Sequence, residues 1–472
     1  MSAGKSPADG RYARSRRTIL PVILGVVALA CGGALARPVP AASASDRPDG
    51  HPRTPIRHFI FLLQENHTFD NYFGTYGRGS DGIPPGVCMP NNLDNPQAGC
   101  ERPFHLGDTA VRDIPHNPVI FRGQFNHGRM NGFVNIVRLQ DLDSSGVMGY
   151  YDDRDLPYYW NLADNFVLFD RFFSSEFGGS GENHMFAVAA APADPHNVPP
   201  HGFTMTTIFD RLQKAGVSWK YYVAHYDPRI TYRSHTTGDR ASQVVWVPLL
   251  NFARFLDEPR LSDHIVPLKQ YFEDLAHGTL PAVAFIAPSG ASEHPPGSIQ
   301  SGERFVRTLI NNLIASRYWR SAAFLLAYDD WGGWYDHVPP PRVDRNGYGF
   351  RVPALLMSAY ARHGFVDHTV LDFTSALKFI EQNWGLKPLT RRDARASSIA
   401  GAFDFSRPPR QPVIIPAVRH PATPPTANRS IIYPAYAAGL ALVLMIMCVA
   451  ALHARRKRLE VTTAPIARDR QP

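Results

Sequence analysis

The chain has 472 residues, enough for one large α/β domain or two smaller ones. Its formal charge of +8 sits at the ends: five basic residues against one acidic in residues 1–17, and six against two in residues 453–472, so the stretch between is formally neutral. A nucleic-acid binder would carry its basic patch on the folded body, so that class is excluded.

Each basic tail abuts an apolar segment. The first, Ile19 to Leu35, holds no charge and is followed by the small-residue sites Ala34-Leu35-Ala36 and Ala42-Ser43-Ala44. This is the layout of a secretory signal peptide, and residues 1–44 are read as a signal peptide or N-terminal membrane segment plus linker. The Pro-, Ala-, Ser- and Asp-rich linker composition continues to residue 54. Of the four cysteines, Cys31 and Cys448 lie in the apolar segments; Cys88 and Cys100 remain in a Gly-, Pro- and Asn-containing loop. An exported domain permits disulfides, so these two are expected to pair.

The body, bounded at 45–404, opens with Phe59-Ile60-Phe61-Leu62-Leu63, an uncharged apolar run expected to be a strand covered on both faces. It ends abruptly in Glu65, Asn66, His67 and Asp70. Ligands of open α/β sheets bind beyond strand carboxyl ends, and a carboxylate with an amide there supplies hard oxygen ligands for a divalent cation. The same residues could equally cap the next helix, through Thr68 or Asn66. After an irregular region containing Asp113 and His116, Phe166 to Phe173 reads as a strand or an extended approach to a turn. The turn Ser174 to His184 contains Gly178-Gly179-Ser180-Gly181, and Met185 to Ala191 reads as a helix stopped by Pro192. Ser180 at a helix start suits a phosphate, because backbone N–H groups and the helix dipole point at the anion and the hydroxyl can attack it. Taken alone, the turn favours an ordinary N-cap.

Further on, helices are expected at 206–215, 302–316 and 372–384, and strands at 217–223, 282–287, 323–328 and 353–357. The strand at 282–287 leads to Glu293-His294-Pro295-Pro296, and that at 323–328 to Asp329-Asp330-Trp331-Gly332-Gly333 with His337 beyond. Adjacent carboxylates at a strand end repel unless a cation or basic group lies between them, which favours a metal over a meaningless surface turn. Alternating strands and helices argue for an α/β fold with a mainly parallel sheet sandwiched by helices. Prolines recur without periodicity over residues 405–430, read as a semi-rigid stalk. Residues 431–453 are long and apolar enough for a transmembrane helix, and Arg455-Arg456-Lys457-Arg458 begins a basic tail, 454–472, expected on the cytoplasmic side. The body is thus expected outside a cell membrane that the chain crosses once.

The motifs Glu65-Asn66-His67-Thr68-Phe69-Asp70, Glu293-His294-Pro295-Pro296 and Tyr328-Asp329-Asp330-Trp331-Gly332-Gly333-Trp334-Tyr335-Asp336-His337, with the Ser180 turn, resemble the bacterial phospholipase C and acid phosphatase family of phosphoesterases. That family belongs to the alkaline phosphatase-like superfamily and includes plant non-specific phospholipases C. The resemblance covers roughly residues 55–400. It implies that Glu65, Asn66, Asp329 and Asp330 hold a divalent metal, with Ca, Mg or Mn favoured by oxygen ligands and Zn open if a His joins them. It implies Ser180 as nucleophile and His116, His294 and His337 around the phosphoryl pocket. Asn183 and His184 fall where substrate-binding residues are expected. Three positions depart from the family's pattern: Asp330 where Glu is frequent, His184 where Arg is common and Asn131 where Asp is usual. The function implied is a membrane-tethered phospholipase C acting on phospholipid. The alternatives are an acid phosphatase acting on phosphomonoesters, and a non-catalytic surface binding protein on the same fold.

Overall fold

The computed structural model describes residues 50–234, 236, 238–419 and 429–462. The signal-peptide reading and most of the linker therefore lie outside the described residues, as does the end of the basic tail. The body is built on an eight-stranded sheet: β1 (His58–Gln64), β2 (Val167–Phe169), β3 (Trp219–Val223), β4 (Ile265–Pro267), β5 (Val283–Ala287), β6 (Ala322–Tyr328), β7 (Ala354–Ser358) and β8 (Phe365–Asp367). Their spatial order is β8-β2-β7-β6-β1-β5-β3-β4, and β7 alone runs against its neighbours β6 and β2. The expected, mainly parallel sheet is therefore present, with one reversed strand.

The two longest strands are neighbours at the centre. Every residue of β6 is buried, as is every residue of β1 after His58, which is why both read as unbroken apolar runs rather than alternating ones. Helices cover the sheet, among them α1 (Phe69–Phe73), α2 (Pro157–Asn165), α3 (Ser180–Ala189), α4 (Ile208–Ala215), α5 (Lys269–His277), α6 (Ile299–Ala315) and α7 (Phe373–Trp384). In α6, Val306, Leu309, Ile310, Leu313 and Ile314 are buried at helical spacing, so one stripe faces the core. Burial of these apolar side chains is the main stabilising term, at about 25 cal/mol per Å² of apolar surface.

Cys88 and Cys100 form the expected disulfide. The stalk reading is corrected for its first half. Residues 405–419 lie against the body: Ile415 is buried, Asn161 Nδ2 donates to the carbonyls of Pro416 (3.0 Å) and Val418 (3.2 Å), and Arg419 pairs with Asp153 (3.2 Å) and Asp164 (2.5 Å). Proline recurrence excludes regular secondary structure but not docking in an extended form. Residues 420–428 lie outside the described residues. A final helix, α8 (Arg429–Thr462), contains the apolar stretch Tyr436–Arg455, long enough to cross a membrane by length and composition.

Candidate active site

The pairing of β1 with β6 positions the site. Gln64 lies opposite Tyr328, so the two strands end level and Glu65 and Asp329 leave them side by side. The ladder runs one step further, with Asp329 N–H donating to Gln64 O at 2.9 Å. Asn66 then turns with φ 59°, and its N–H donates to Asp329 Oδ1 at 3.0 Å; Asp330 N–H donates to the same oxygen at 2.7 Å. Gly332, at φ 56°, is required here, because a Cβ would stand 2.5 Å from Asn66 O. The first helix cap is Thr68, whose hydroxyl accepts from Asn71 N–H, so Asn66 is left for other work.

Helix α3 brings up the hydroxyl. Gly179, not Ser180, occupies its N-cap; Ser180 is the first helical residue. Its Oγ donates toward Asp330 Oδ2 at 3.1 Å and lies 3.4 Å from Glu65 Oε2. One turn on, His184 Nε2 lies 3.1 Å from Glu65 Oε1 and 3.6 Å from Asp329 Oδ2. Glu65, Asp329 and Asp330 are all buried. Burial, then the Asp329 charge, push the Glu65 carboxyl up; burial and Asp329 likewise push Asp330 well above the ordinary range. Burial opposes a charge on His184 too, yet its hydrogen bonds and the charges of Asp329 and Glu65 lift it to about 9.

Three carboxylates against one imidazolium leave an excess of two negative charges when all are ionised. Two acceptors, Asn66 Oδ1 and Asp329 Oδ2, are buried without a hydrogen-bond partner. Such atoms are costly unless something positive meets them. A divalent cation fits both the charge and the oxygen-rich donor set of Glu65, Asn66, Asp329 and Asp330; Glu65, His184 and Asp329 also converge closely enough to hold an ion.

A cavity of about 570 Å³ opens beside the cluster, lined in part by Glu65, Asp113, His116, Ser180, Trp246 and His294. A second, of about 720 Å³, shares Asp113, Ser242, Trp246 and His294 with it. Nδ1 of His116 lies 2.6 Å from Ile114 O, and Nδ1 of His294 lies 2.6 Å from Pro295 O. A carbonyl only accepts, so Nδ1 carries the hydrogen in both; His116 Nε2 then accepts from Asn66 Nδ2 at 3.3 Å, and His294 Nε2 is left for proton transfer or donation. Burial works against charging His294, but the Glu65 carboxylate and the Pro295 carbonyl raise it.

Ser180, His116, His294, Glu65, Asn66, Asp329 and Asp330 are thus brought together. Three expectations are corrected. His337 does not line the cavity; both its ring nitrogens are engaged elsewhere, Nδ1 with Asp70 (2.7 Å) and Nε2 with Asp81 (3.1 Å). Asn183 is buried beneath the turn, accepting from Glu176 N–H at 3.1 Å and donating to the carbonyls of Glu176, Gly178 and Gly179, so it shapes the turn rather than meeting substrate. His184 lies behind the carboxylates and does not line the cavity either. Asn131 pairs with Asn126 (2.8 Å) away from the cavity. Glu293 separates from His294: its carboxylate accepts from the hydroxyls of Tyr72 (2.5 Å), Tyr328 (2.7 Å) and Tyr159. Asp113 in the cavity wall went unassigned although it is three residues from His116; Trp246 carries no sequence signal.

The chain resembles curated phospholipases C along most of its length. Phospholipase C B of Mycobacterium tuberculosis is 28% identical over 420 residues, covering 75% of this chain and 79% of that protein. Non-hemolytic phospholipase C of Pseudomonas aeruginosa is 26% identical over 472 residues, covering 84% of this chain and 65% of that one. Non-specific phospholipase C3 of Arabidopsis thaliana is 24% identical over 417 residues, covering 78% and 77%. Among solved structures, a protein in the alkaline phosphatase superfamily from Vibrio parahaemolyticus aligns at 12% identity and TM-score 0.36 over 77% of this chain and 72% of that one; a likeness of that size bears no weight for the site. The Phosphoesterase family model matches residues 56–387. That span takes in every strand of the sheet and every side chain of the carboxylate cluster, and the chain belongs to the Phosphoesterase family, a hydrolase acting on phosphoric ester bonds.

Proposed function

We propose that this chain is a metal-dependent phospholipase C that uses Ser180 as its nucleophile and is held at the outer face of a membrane by α8. The observation that carries the reading is the position of Ser180 Oγ: at the N-terminus of a ten-residue helix, within 3.1–3.4 Å of two carboxylates, facing a cavity walled by His116 and His294.

Glu65, Asn66, Asp329 and Asp330 would hold the divalent ion. When bound, it would neutralise charge on the phosphoryl oxygens and lower the pKa of the Ser180 hydroxyl. The chain's own residues do the rest. Asp330, next to Ser180 Oγ and kept ionised where the cation would offset burial and the Asp329 charge, accepts the hydroxyl proton as Oγ attacks phosphorus. The amide dipoles at the start of α3 face the transferring group, whose charge must be met by positioned donors. His294 protonates the leaving alcohol through Nε2. Water then cleaves the phosphoseryl bond, releasing the phosphate product and restoring Ser180. Pro115, Pro118, Val245 and Trp246 give an otherwise polar cavity an apolar side that suits a substrate with an apolar portion, and the phospholipases C among the relatives support phospholipid as substrate.

The test uses the full chain in detergent, offered phosphatidylcholine in mixed micelles and, separately, a phosphomonoester, across Ca²⁺, Mg²⁺, Mn²⁺ and Zn²⁺. Diacylglycerol and phosphocholine are the expected products. Phosphate from the monoester alone would make the chain a phosphatase, and silence with metal bound would leave a binding protein.

A further inference from the structure

We propose that His184 Nε2, releasing its proton to solvent as the ion binds, is itself a ligand of the divalent ion, making this a mixed nitrogen–oxygen centre. The inference rests on the metal-dependent reading above and assigns His184 a place that reading does not need.

Three observations converge. His184 is 2% exposed and does not line either cavity, so it cannot touch a substrate phosphate. Its Nε2 lies 3.1 Å from Glu65 Oε1 and 3.6 Å from Asp329 Oδ2. Donor atoms about 2.1 Å from a shared ion lie about 3.0 Å apart along an octahedral edge and about 3.4 Å along a tetrahedral one. Both separations are of that size, and the second oxygen is one of the buried acceptors lacking a hydrogen bond. Finally, Ser180 and His184 are four residues apart on α3 and so share a face. They meet the two oxygens of one carboxylate, Oγ at Oε2 and Nε2 at Oε1 of Glu65. One helix thus delivers the reacting hydroxyl and an imidazole to opposite sides of the same ligand. Imidazole suits Zn, Fe and other first-row transition metals and is foreign to Ca and Mg sites, so the centre selects the former.

The experiment strips the full chain with chelator in detergent and reloads it with one equivalent of Mn²⁺. Electron spin-echo modulation then reads nitrogen bound to the ion. Wild type is expected to show ¹⁴N coupling that converts to ¹⁵N on histidine labelling, disappears in His184→Gln and persists in His116→Gln. Competition should show Zn²⁺ affinity falling at least about tenfold in H184Q while Mg²⁺ affinity changes less than twofold. Stoichiometric Mn²⁺ without nitrogen coupling, or coupling untouched in H184Q, overturns the assignment and leaves the phosphoesterase reading standing. Folded wild type that takes up no metal overturns both. If H184Q does not fold, the coupling is read in the His116→Gln/His294→Gln double variant; its loss there overturns the assignment, its survival supports it.

Discussion

Two clusters of buried carboxylates stand beyond the carboxyl ends of the same two strands, and they differ in how their charge is met. Glu65, Asp329 and Asp330 face one imidazole, a serine hydroxyl and a cavity, and leave acceptor atoms without partners. Asp70 and Asp336 instead grip Arg351, which is wholly buried. Arg351 Nη2 donates to Asp70 and Nε to Asp336, each at 2.9 Å. Its Nη1 donates to the carbonyls of Asp81 (2.8 Å) and Asp170 (2.9 Å), and the guanidinium lies over Phe69. Residue type and burial are alike in both clusters. What separates a reacting site from a structural knot is uncompensated charge next to open space.

The largest expected effect is on the first cluster. Ser180→Ala should lower kcat on the order of 10³-fold or more while circular dichroism and unfolding midpoint stay unchanged; wild-type turnover would remove the nucleophile assignment. The mirror image belongs to the second cluster. Arg351→Met leaves two buried carboxylates without their cation and should cost about 3–5 kcal/mol in urea unfolding. A loss below about 1 kcal/mol would make that cluster no knot at all.

Glu293 is the intermediate case, a buried carboxylate met by three tyrosine hydroxyls and no cation. Burial pushes it up to about 7, against the pull of those hydroxyls. A raised carboxyl stabilises the fold fully below its ordinary pKa, near 4.5, and that stabilisation is lost as pH rises through about 7. Glu293→Gln should flatten this part of the stability–pH curve, a difference on the order of 3 kcal/mol between pH 4 and 8. Identical slopes for the two proteins would exclude Glu293 as the titrating group. The smallest effect is expected from Asp81→Asn, at the rim of the Arg351 cluster. Asp81 is one-third exposed and pairs with Arg171 and His337, so solvent screening holds the loss to at most about 1 kcal/mol.

Much of this was legible in the residues. The central strands were visible because burial on both faces demands uninterrupted apolar runs, and Glu65, Asp329 and Asp330 because polar groups stop those runs abruptly. What sequence could not convey is depth. Asn183 and His184 sit one turn from Ser180, and spacing alone does not say whether a turn faces substrate or the protein behind it. A signal did exist: Ser180 and His184 share a helix face, so a hydroxyl turned toward carboxylates brings the imidazole with it. The His337 role failed for a different reason. Its partners Asp70, Asp81 and Arg351 are scattered along the chain, and only the fold reveals that both ring nitrogens are already engaged. Tyr72, Tyr159 and Tyr328 around Glu293 were hidden in the same way.

The docking of residues 405–419 sets the length of a leash. With Arg419 clasped by Asp153 and Asp164, nine residues, 420–428, remain before α8 begins at Arg429. Fully extended, they reach about 30 Å, where a free stalk from Phe405 would reach more than twice as far. Were α8 to cross a bilayer, as proposed, Arg419 would be held within about 30 Å of the start of that helix. The enzyme would then graze the leaflet that holds it, its encounters governed by lateral density of lipid in two dimensions, and a neighbouring membrane would have to come to it.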